Sequence, residues 1–404
     1  MSAALRHRDF ALLWSGQSVS LVGDGMFIVA LAIETLHIDN RPTALSFVLA
    51  ARLLPMVLLL LIGGAVVDRV PRRRTMLVSD AIRGMAVAAI AVLVATGAIQ
   101  LWELVVMCAV FGAADAFFYP ASTAVVPEIL PAELLMQGSA LTATSRTVAQ
   151  VLAGPALGGI LVASLGTAWA FALDGASFFV SAACLVAMKS QPRPAGTRRS
   201  LFKEVGEGLR YCRSQPWLWM TILAAGLANF AAFSPLGLLV PLLVRNVLHQ
   251  GPLALGLVLA AGGLGGAVTS LALARYGAPR LRITFMWLSW GVASASIIGL
   301  AVAPSVWIAG IFAILVYGLL EAGNVLWNPL MQGLVPAELI GRASSVDWLF
   351  SICLSPLGVL VAGLAAGAIG TRTAMLIGGG IAMLMTIVLL APGVRDPERL
   401  GLLR

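Results

Sequence analysis

The chain has 404 residues, 60% of them hydrophobic and only 11% charged, with a mean hydropathy of +0.96. A soluble domain is roughly half apolar and a quarter charged, so the composition excludes an ordinary soluble protein and points to a polytopic membrane protein. The formal net charge of +8 would suit nucleic acid in a soluble chain, but the basic residues here sit in turns between apolar runs, where they set topology.

At about 20 apolar residues per crossing, the chain predicts twelve spans, at approximately 10–36, 44–67, 76–97, 101–126, 138–164, 168–188, 216–245, 253–275, 282–302, 305–328, 342–368 and 373–391. The first run follows Arg6 and Arg8 without a small-residue cleavage site, so it reads as span 1 and not as a removable signal. Between spans 2 and 3 lies Asp68-Arg69-Val70-Pro71-Arg72-Arg73-Arg74, a short cationic hairpin. By the excess of Lys and Arg it belongs on the cytoplasmic side. Counting onward from it, the cytoplasmic segments hold most of the basic residues and the external loops only Arg41, Arg245 and Arg372, which puts both termini inside.

The longest polar interval, Lys189 to Gln215, falls halfway along the chain. Its first part is linker-like, and its second has Leu201, Phe202, Val205, Leu209 and Cys212 at helical spacing. That pattern predicts an amphipathic helix on the inner membrane surface. The division that follows is a six-helix bundle over 1–188, a cytoplasmic linker over 189–215 and a second six-helix bundle over 216–404. An internal repeat supports it. Val110-Phe111-Gly112-Ala113-Ala114-Asp115-Ala116 is echoed by Val316-Tyr317-Gly318-Leu319-Leu320-Glu321-Ala322, and Pro131-Ala132-Glu133-Leu134 by Pro336-Ala337-Glu338-Leu339.

Charges inside apolar spans cost a few kcal/mol each, so each needs a partner, a watery cavity or a function. Asp24, between Gly23 and Gly25 in span 1, and the repeat-related Asp115 and Glu321 are candidate proton carriers, as is Asp347 in span 11. The alternative for each is a carboxylate bonded to a neighbouring helix. Arg146 in span 5 does not release its proton; it is a candidate partner for Asp24 or Asp115, structural or gating. Arg52, Asp174 and Glu34 read as ion-pair residues of the outer side, and Asp80 with Arg83, three residues apart, as a structural pair on one helix face. Phe27, Phe118, Asn229, Phe233, Tyr317 and Asn324 lie near these acids and are candidates for a substrate cavity.

Enzyme and metal signals are lacking. No Gly-rich phosphate loop ends in Lys-Ser or Lys-Thr, three histidines assemble no catalytic or metal cluster, and the four cysteines have no ligand-like spacing. The chain therefore predicts no catalytic residue, no metal and no cofactor.

Gly64-x-Val66-x-Asp68-Arg69-x-Pro71-Arg72-Arg73 resembles the loop 2–3 motif of the major facilitator superfamily, with Pro71 where glycine is usual. Gly154-Pro155-x-x-Gly158-Gly159 resembles that superfamily's span 5 motif of antiporters, with Gln150 at the place often taken by a leading glycine. The counterpart between spans 8 and 9, Arg275-Tyr276-Gly277-Ala278-Pro279-Arg280, lacks the aspartate. Arg8-Asp9-Phe10-x-x-Leu13-Trp14, Gly23-Asp24-Gly25, Phe117-Phe118-Tyr119-Pro120-Ala121 and Glu207-Gly208-Leu209-Arg210-Tyr211 resemble its twelve-span drug-exporter branch, which includes macrolide efflux proteins and the enterobactin exporter. The resemblance implies the all-α major facilitator fold, an inner-membrane location, a monomer, and alternating access driven by protons. It also implies a latch in which Asp68, with Arg72 or Arg69, holds the end of span 2 to neighbouring span ends, and Glu128 pairs with Arg72.

The function expected on these grounds is proton-coupled antiport that exports amphipathic or cationic small molecules across the bilayer. The alternatives are uptake or flipping of a lipid-like, siderophore or nutrient molecule, and a non-transporting sensor or scaffold. The cost of the intramembrane acids argues against the scaffold.

Overall fold

The computed structural model describes residues 2–67, 69–189, 201–336 and 339–400, and at positions 2, 61, 65 and 201–205 it describes the backbone alone. Asp68 and Glu338 therefore lie outside the described residues, as does the first part of the linker. Among the described residues twelve helices are long and apolar enough to cross a membrane, and no strand occurs. In lipid the backbone groups must be satisfied within the segment, and a helix does this.

Spans 1 to 6 are Arg8–Ile38, Pro42–Val67, Arg72–Ala95, Leu101–Ile129, Ala132–Leu165 and Thr167–Ala187. Spans 7 to 12 are Pro216–Val247, Pro252–Tyr276, Arg282–Val302, Val306–Leu334, Ile340–Ile369 and Thr371–Leu390. Proline opens spans 2, 7 and 8, where its missing N–H costs nothing. Span 4 opens on a capping box, with the Gln100 N–H donating to Glu103 Oε2 at 2.8 Å. Two hairpins close through a single residue: Gly166 joins spans 5 and 6, and Gly370 joins spans 11 and 12. Their φ values of +91° and +87° lie in the region that only glycine enters without strain.

Two stretches of span widen into π-helix just before a proline. Arg146–Ala153 precedes Gly154-Pro155, and Asn229–Phe233 precedes Ser234-Pro235. A proline ring meets the carbonyl four residues earlier, and a widened turn relieves that clash and the missing donor together.

The described chain forms two compact units. The first comprises Met1–Gly196 and His249–Ala260. Its core is aromatic: Phe27 stacks on Phe111 with centroids 5.3 Å apart, and Phe171 and Phe178 meet these rings edge-on. Span 5 approaches span 1 at glycines, because a Cβ on Gly154 would stand 2.6 Å from the Cα of Gly25.

The second unit comprises Thr197–Leu248 and Ala261–Arg404. One of its clusters gathers Ile283, Met286, Trp287, Leu326 and Leu330, and another gathers Cys212, Trp217, Leu218, Met331 and Val346. The helix expected in the linker spans Leu201–Ser214. Its Leu209 and Cys212 pack on protein, Glu207 pairs with Arg342 at 2.7 Å, and Gly208 sits directly against the Arg342 backbone. Burial in this contact pushes the Cys212 thiol up to about 11.

Candidate functional site

Inside the first unit, charges that the sequence scatters over several spans come together. Asp115 of span 4, about 1% exposed, accepts from Arg52 Nη2 of span 2 at 3.2 Å and from Arg83 Nη1 of span 3 at 3.1 Å. Arg83 also pairs with Asp80 on its own helix face, and Asp80 accepts from Ser181 Oγ at 2.7 Å. The guanidinium faces are covered by rings, Arg83 lying 3.9 Å from the Phe118 centroid and Arg52 4.4 Å from that of Phe111. Cations above aromatic faces are held without water.

Asp24 and Asp174 are buried in the field of the same two arginines and of each other. Neither forms an ion pair among the described residues. Asp24 Oδ1 and Asp174 Oδ2 are buried without a hydrogen-bond partner, and Asp174 Oδ1 presses against Gly23. The group thus holds four carboxyls, Asp24, Asp80, Asp115 and Asp174, for two guanidiniums, Arg52 and Arg83.

Several pairings differ from the sequence reading. Arg146 reaches neither Asp24 nor Asp115 and makes no ion pair among the described residues; its guanidinium lies 5.7 Å from the Tyr119 ring centre. Asp115 is already occupied from spans 2 and 3. Arg52 pairs inward with Asp115, not with an outer-side acid, and Asp174 has no cation. Glu34 accepts from the Thr167 hydroxyl. Phe27 and Phe118, considered as cavity residues, are buried in packing around the charge group.

At the other end of span 3, Arg72 Nη1 stands 3.0 Å from Glu128 Oε1 and donates to the Ala124 carbonyl near the end of span 4. Arg73 donates to the carbonyls of Leu185 and Val186 at 2.5 and 2.6 Å. These carbonyls belong to the last turn of span 6, where cations are also favoured by the helix dipole. Arg69 is exposed.

The second unit holds a cavity of about 300 Å³ with a different chemistry. Trp287, Trp290, Trp327, Trp348 and Phe233 wall it, and Asn229, Asn324 and Asp347 supply polar groups. Asp347 accepts from Trp327 Nε1 at 2.8 Å and from Ser351 Oγ at 3.3 Å. Asn229 donates to the Ser351 carbonyl at 3.4 Å, and the π-helical segment Asn229–Phe233 is what aims both Asn229 and Phe233. Trp290 donates to the Leu320 carbonyl at 3.3 Å and packs where Gly323 leaves room for its ring. Trp287 and Trp290 meet edge-on at 5.4 Å.

Of the cavity residues expected from sequence, Asn229, Phe233 and Asn324 line this space. Tyr317 packs on Gly262 instead, and Glu321 accepts from Ser270 Oγ at 3.2 Å without lining it. The three tryptophans that sequence reasoning passed over, Trp287, Trp290 and Trp348, carry a usable signal. Trp287 and Trp290 are three apart, as are Trp348 and Ser351, so each pair shares a helix face. Among the described residues no group of three or more His, Cys, Asp or Glu is placed to hold a metal.

Comparison with known proteins gives these sites a setting. Residues 1–398 match the family model described as transmembrane secretion effector. The chain is 29% identical over 374 residues to the multidrug efflux pump Tap of Mycobacterium tuberculosis, covering 89% of this chain and 87% of the other. It is 26% identical over 399 residues to the enterobactin exporter EntS of Salmonella typhimurium, covering 97% and 94%. Among solved structures, a variant of the nucleoside transporter NupG superposes with a TM-score of 0.73 at 10% identity, over 95% of this chain and 99% of that one. A bacterial homologue of the lysosomal transporter Spinster, inward-facing and occupied, gives 0.67 at 14% identity, over 96% and 97%. With twelve spans, this fold and a family match along nearly its whole length, the chain belongs to the transmembrane secretion effector family of major facilitator transporters.

Proposed function

We propose that this efflux transporter is a proton-coupled antiporter of the inner membrane that exports amphipathic or cationic small molecules by alternating access, as a monomer with both termini cytoplasmic. The observation that carries the coupling is the buried surplus of carboxyls over guanidiniums in the first unit, with one orphaned oxygen each on Asp24 and Asp174. A dry interior does not hold uncompensated charge cheaply, and a proton is the smallest group that neutralises it reversibly. Asp24 is the principal carrier. Asp115, held by two guanidiniums, is the hub whose partners shift when Asp24 changes charge. Glu321 and Asp347 are the acids of the second unit with which a coupled change communicates.

The Arg72–Glu128 pair, with Asp68 and Arg69 beside it in sequence, serves as the gate latch, and Arg146, which pairs with no acid among the described residues, meets one in another state. The names of the relatives, a multidrug efflux pump and an enterobactin exporter, support outward movement of small organic molecules. Flux into proteoliposomes under an imposed pH gradient tests the reading. Gradient-driven movement of a dye cation, lost in Asp24→Asn and retained in Asp24→Glu, is the expected result. Movement indifferent to the gradient, or untouched by Asp24→Asn, overturns proton coupling through this residue.

A further inference from the structure

We propose that the tryptophan-walled cavity of the second unit recognises an organic monocation that also carries a hydrogen-bond acceptor, with Asp347 as counter-charge and the Trp287 indole N–H as the donor. The proposal rests on the efflux reading for its role, though its chemistry stands on the cavity alone.

The charge sign follows from the lining. Among the described residues Asp347 is the one ionisable residue in the wall, and no Lys, Arg or His lines the space. Its two oxygens each take one neutral donor, from Trp327 and from Ser351. These bonds orient the carboxylate but leave its charge uncompensated, and a charge withdrawn from water requires an opposite one. An anionic ligand would find repulsion there. A ligand with two positive charges would leave one of them unmatched.

The class of cation follows from the walls. Four indoles line the same cavity as the carboxylate, and indole is the aromatic face that attracts a cation most strongly. A small inorganic ion would leave these faces bare, whereas a delocalised organic cation covers them. The volume of about 300 Å³ sits at the lower end of the range of roughly 300–1,000 Å³ for small-molecule sites, so a body of a few fused rings suits it.

The acceptor follows from an independent observation. Trp287 is 2% exposed, and its Nε1 has no hydrogen-bond partner. The other inward indoles are committed, Trp290 to the Leu320 carbonyl and Trp327 to Asp347. Trp287 is braced against Trp290, so it does not simply turn away. Buried donors are almost always paired; Trp287 lines the cavity, and its covered Nε1 is assigned the ligand's acceptor as partner once the ligand has seated.

Isothermal titration of the purified full-length protein at pH 8 with three matched probes tests this. The probes are 6-acetyl-N-ethylquinolinium, its 6-isopropyl counterpart, and neutral 6-acetylquinoline. The wild-type protein is expected to bind both cations at least tenfold more tightly than the neutral compound, and the acetyl cation about fivefold more tightly than the isopropyl one, as one neutral hydrogen bond provides. Asp347→Asn should erase the preference for charge and Asp347→Glu should keep it. Trp287→Phe should erase the acetyl preference alone, the retained isopropyl affinity showing that the fold survives. The proposal is overturned if neither cation binds the wild-type protein, if Asp347→Asn leaves the charge preference intact, or if Trp287→Phe weakens both cations equally or neither. Binding without any flux in proteoliposomes would instead sink the efflux reading and leave the site standing. Cation flux that survives with binding unaltered by Asp347→Asn would do the reverse.

Discussion

Replacing Asp115 by asparagine removes the one negative charge shared by two buried guanidiniums. Arg83 keeps Asp80, but Arg52 has no second ion pair among the described residues. At 3.2 Å and an effective dielectric of about 20, one contact is worth roughly 5 kcal/mol of gross attraction. Most of this is offset by the cost of taking both ions out of water, so the net effect appears when one partner is stranded, at about 3–5 kcal/mol. Asp115→Asn is expected to lose that much in equilibrium unfolding in mixed micelles. Adding Arg52→Met should return at least half of the loss, because methionine can lie against the Phe111 ring now covered by the guanidinium at 4.4 Å. Adding Arg83→Met instead should return little, since it leaves Asp80 buried without its cation. The reasoning fails if Asp115→Asn costs under about 1 kcal/mol, the size of an exposed pair, or if the two double variants recover equally.

Arg72 and Glu128 are partly exposed, so Arg72→Ala and Glu128→Gln should each change stability by less than about 1 kcal/mol. Both should slow transport, with a double variant no worse than the slower single one; additive losses would separate the two residues. Gly154→Val puts side-chain atoms where the Gly25 backbone lies and should cost about 1–3 kcal/mol by overpacking, read as a lowered unfolding midpoint, and an unchanged midpoint would contradict the close approach. Beyond the spans, the Arg41 guanidinium beside Asp39 holds its carboxyl below the usual carboxylate range. Its small contribution is therefore present above the ordinary carboxylate value and lost as pH falls through the lowered one. Arg41→Gln should return Asp39 toward the ordinary value in a carboxyl-carbon NMR titration, and an unmoved titration would refute the pairing.

The spans were legible because hydropathy is a one-dimensional property. Span 1 was expected at 10–36 and is Arg8–Ile38, but span 5 begins earlier, at Ala132 instead of 138, since Pro131-Ala132-Glu133 reads as a turn. Depth is also legible in the sequence. Counted from the span ends on the Pro42 side, Arg52 lies ten residues in, Arg83 twelve and Asp115 fourteen. At 1.5 Å per residue those three are within about 6 Å of one level, which favours their pairing. What hydropathy withholds is the rotation of each helix about its axis. Proximity in sequence to an acid therefore nominated Phe27, Phe118 and Tyr317, whose faces are turned into packing. No charge stands next to Trp287 or Trp290 of span 9 in the chain, so proximity to an acid does not point to them, whereas Trp348 directly follows Asp347 and could have been found that way.

The two sets of acids differ in a way that bears on coupling. In the first unit every carboxyl of the group lies in the field of arginine, and the surplus is what a proton would relieve. In the second, Asp347 has neutral donors only, and its surroundings suit a larger, softer cation. If ligand and proton bind at separate carboxyls, they do not compete for one group, and exchange has to pass through a conformational equilibrium that both sites bias. Linkage then requires that whatever factor proton uptake imposes on ligand affinity, the ligand imposes on proton affinity. Direct competition at Asp347 would place the entire pH dependence of ligand binding in that residue, so that Asp347→Asn abolishes it and Asp24→Asn does not touch it. Conformational exchange puts a share of it in Asp24, in a different unit from the ligand. The pH dependence of quinolinium affinity in Asp24→Asn therefore separates the two, and the carboxyl surplus around Arg52 and Arg83 argues for the second.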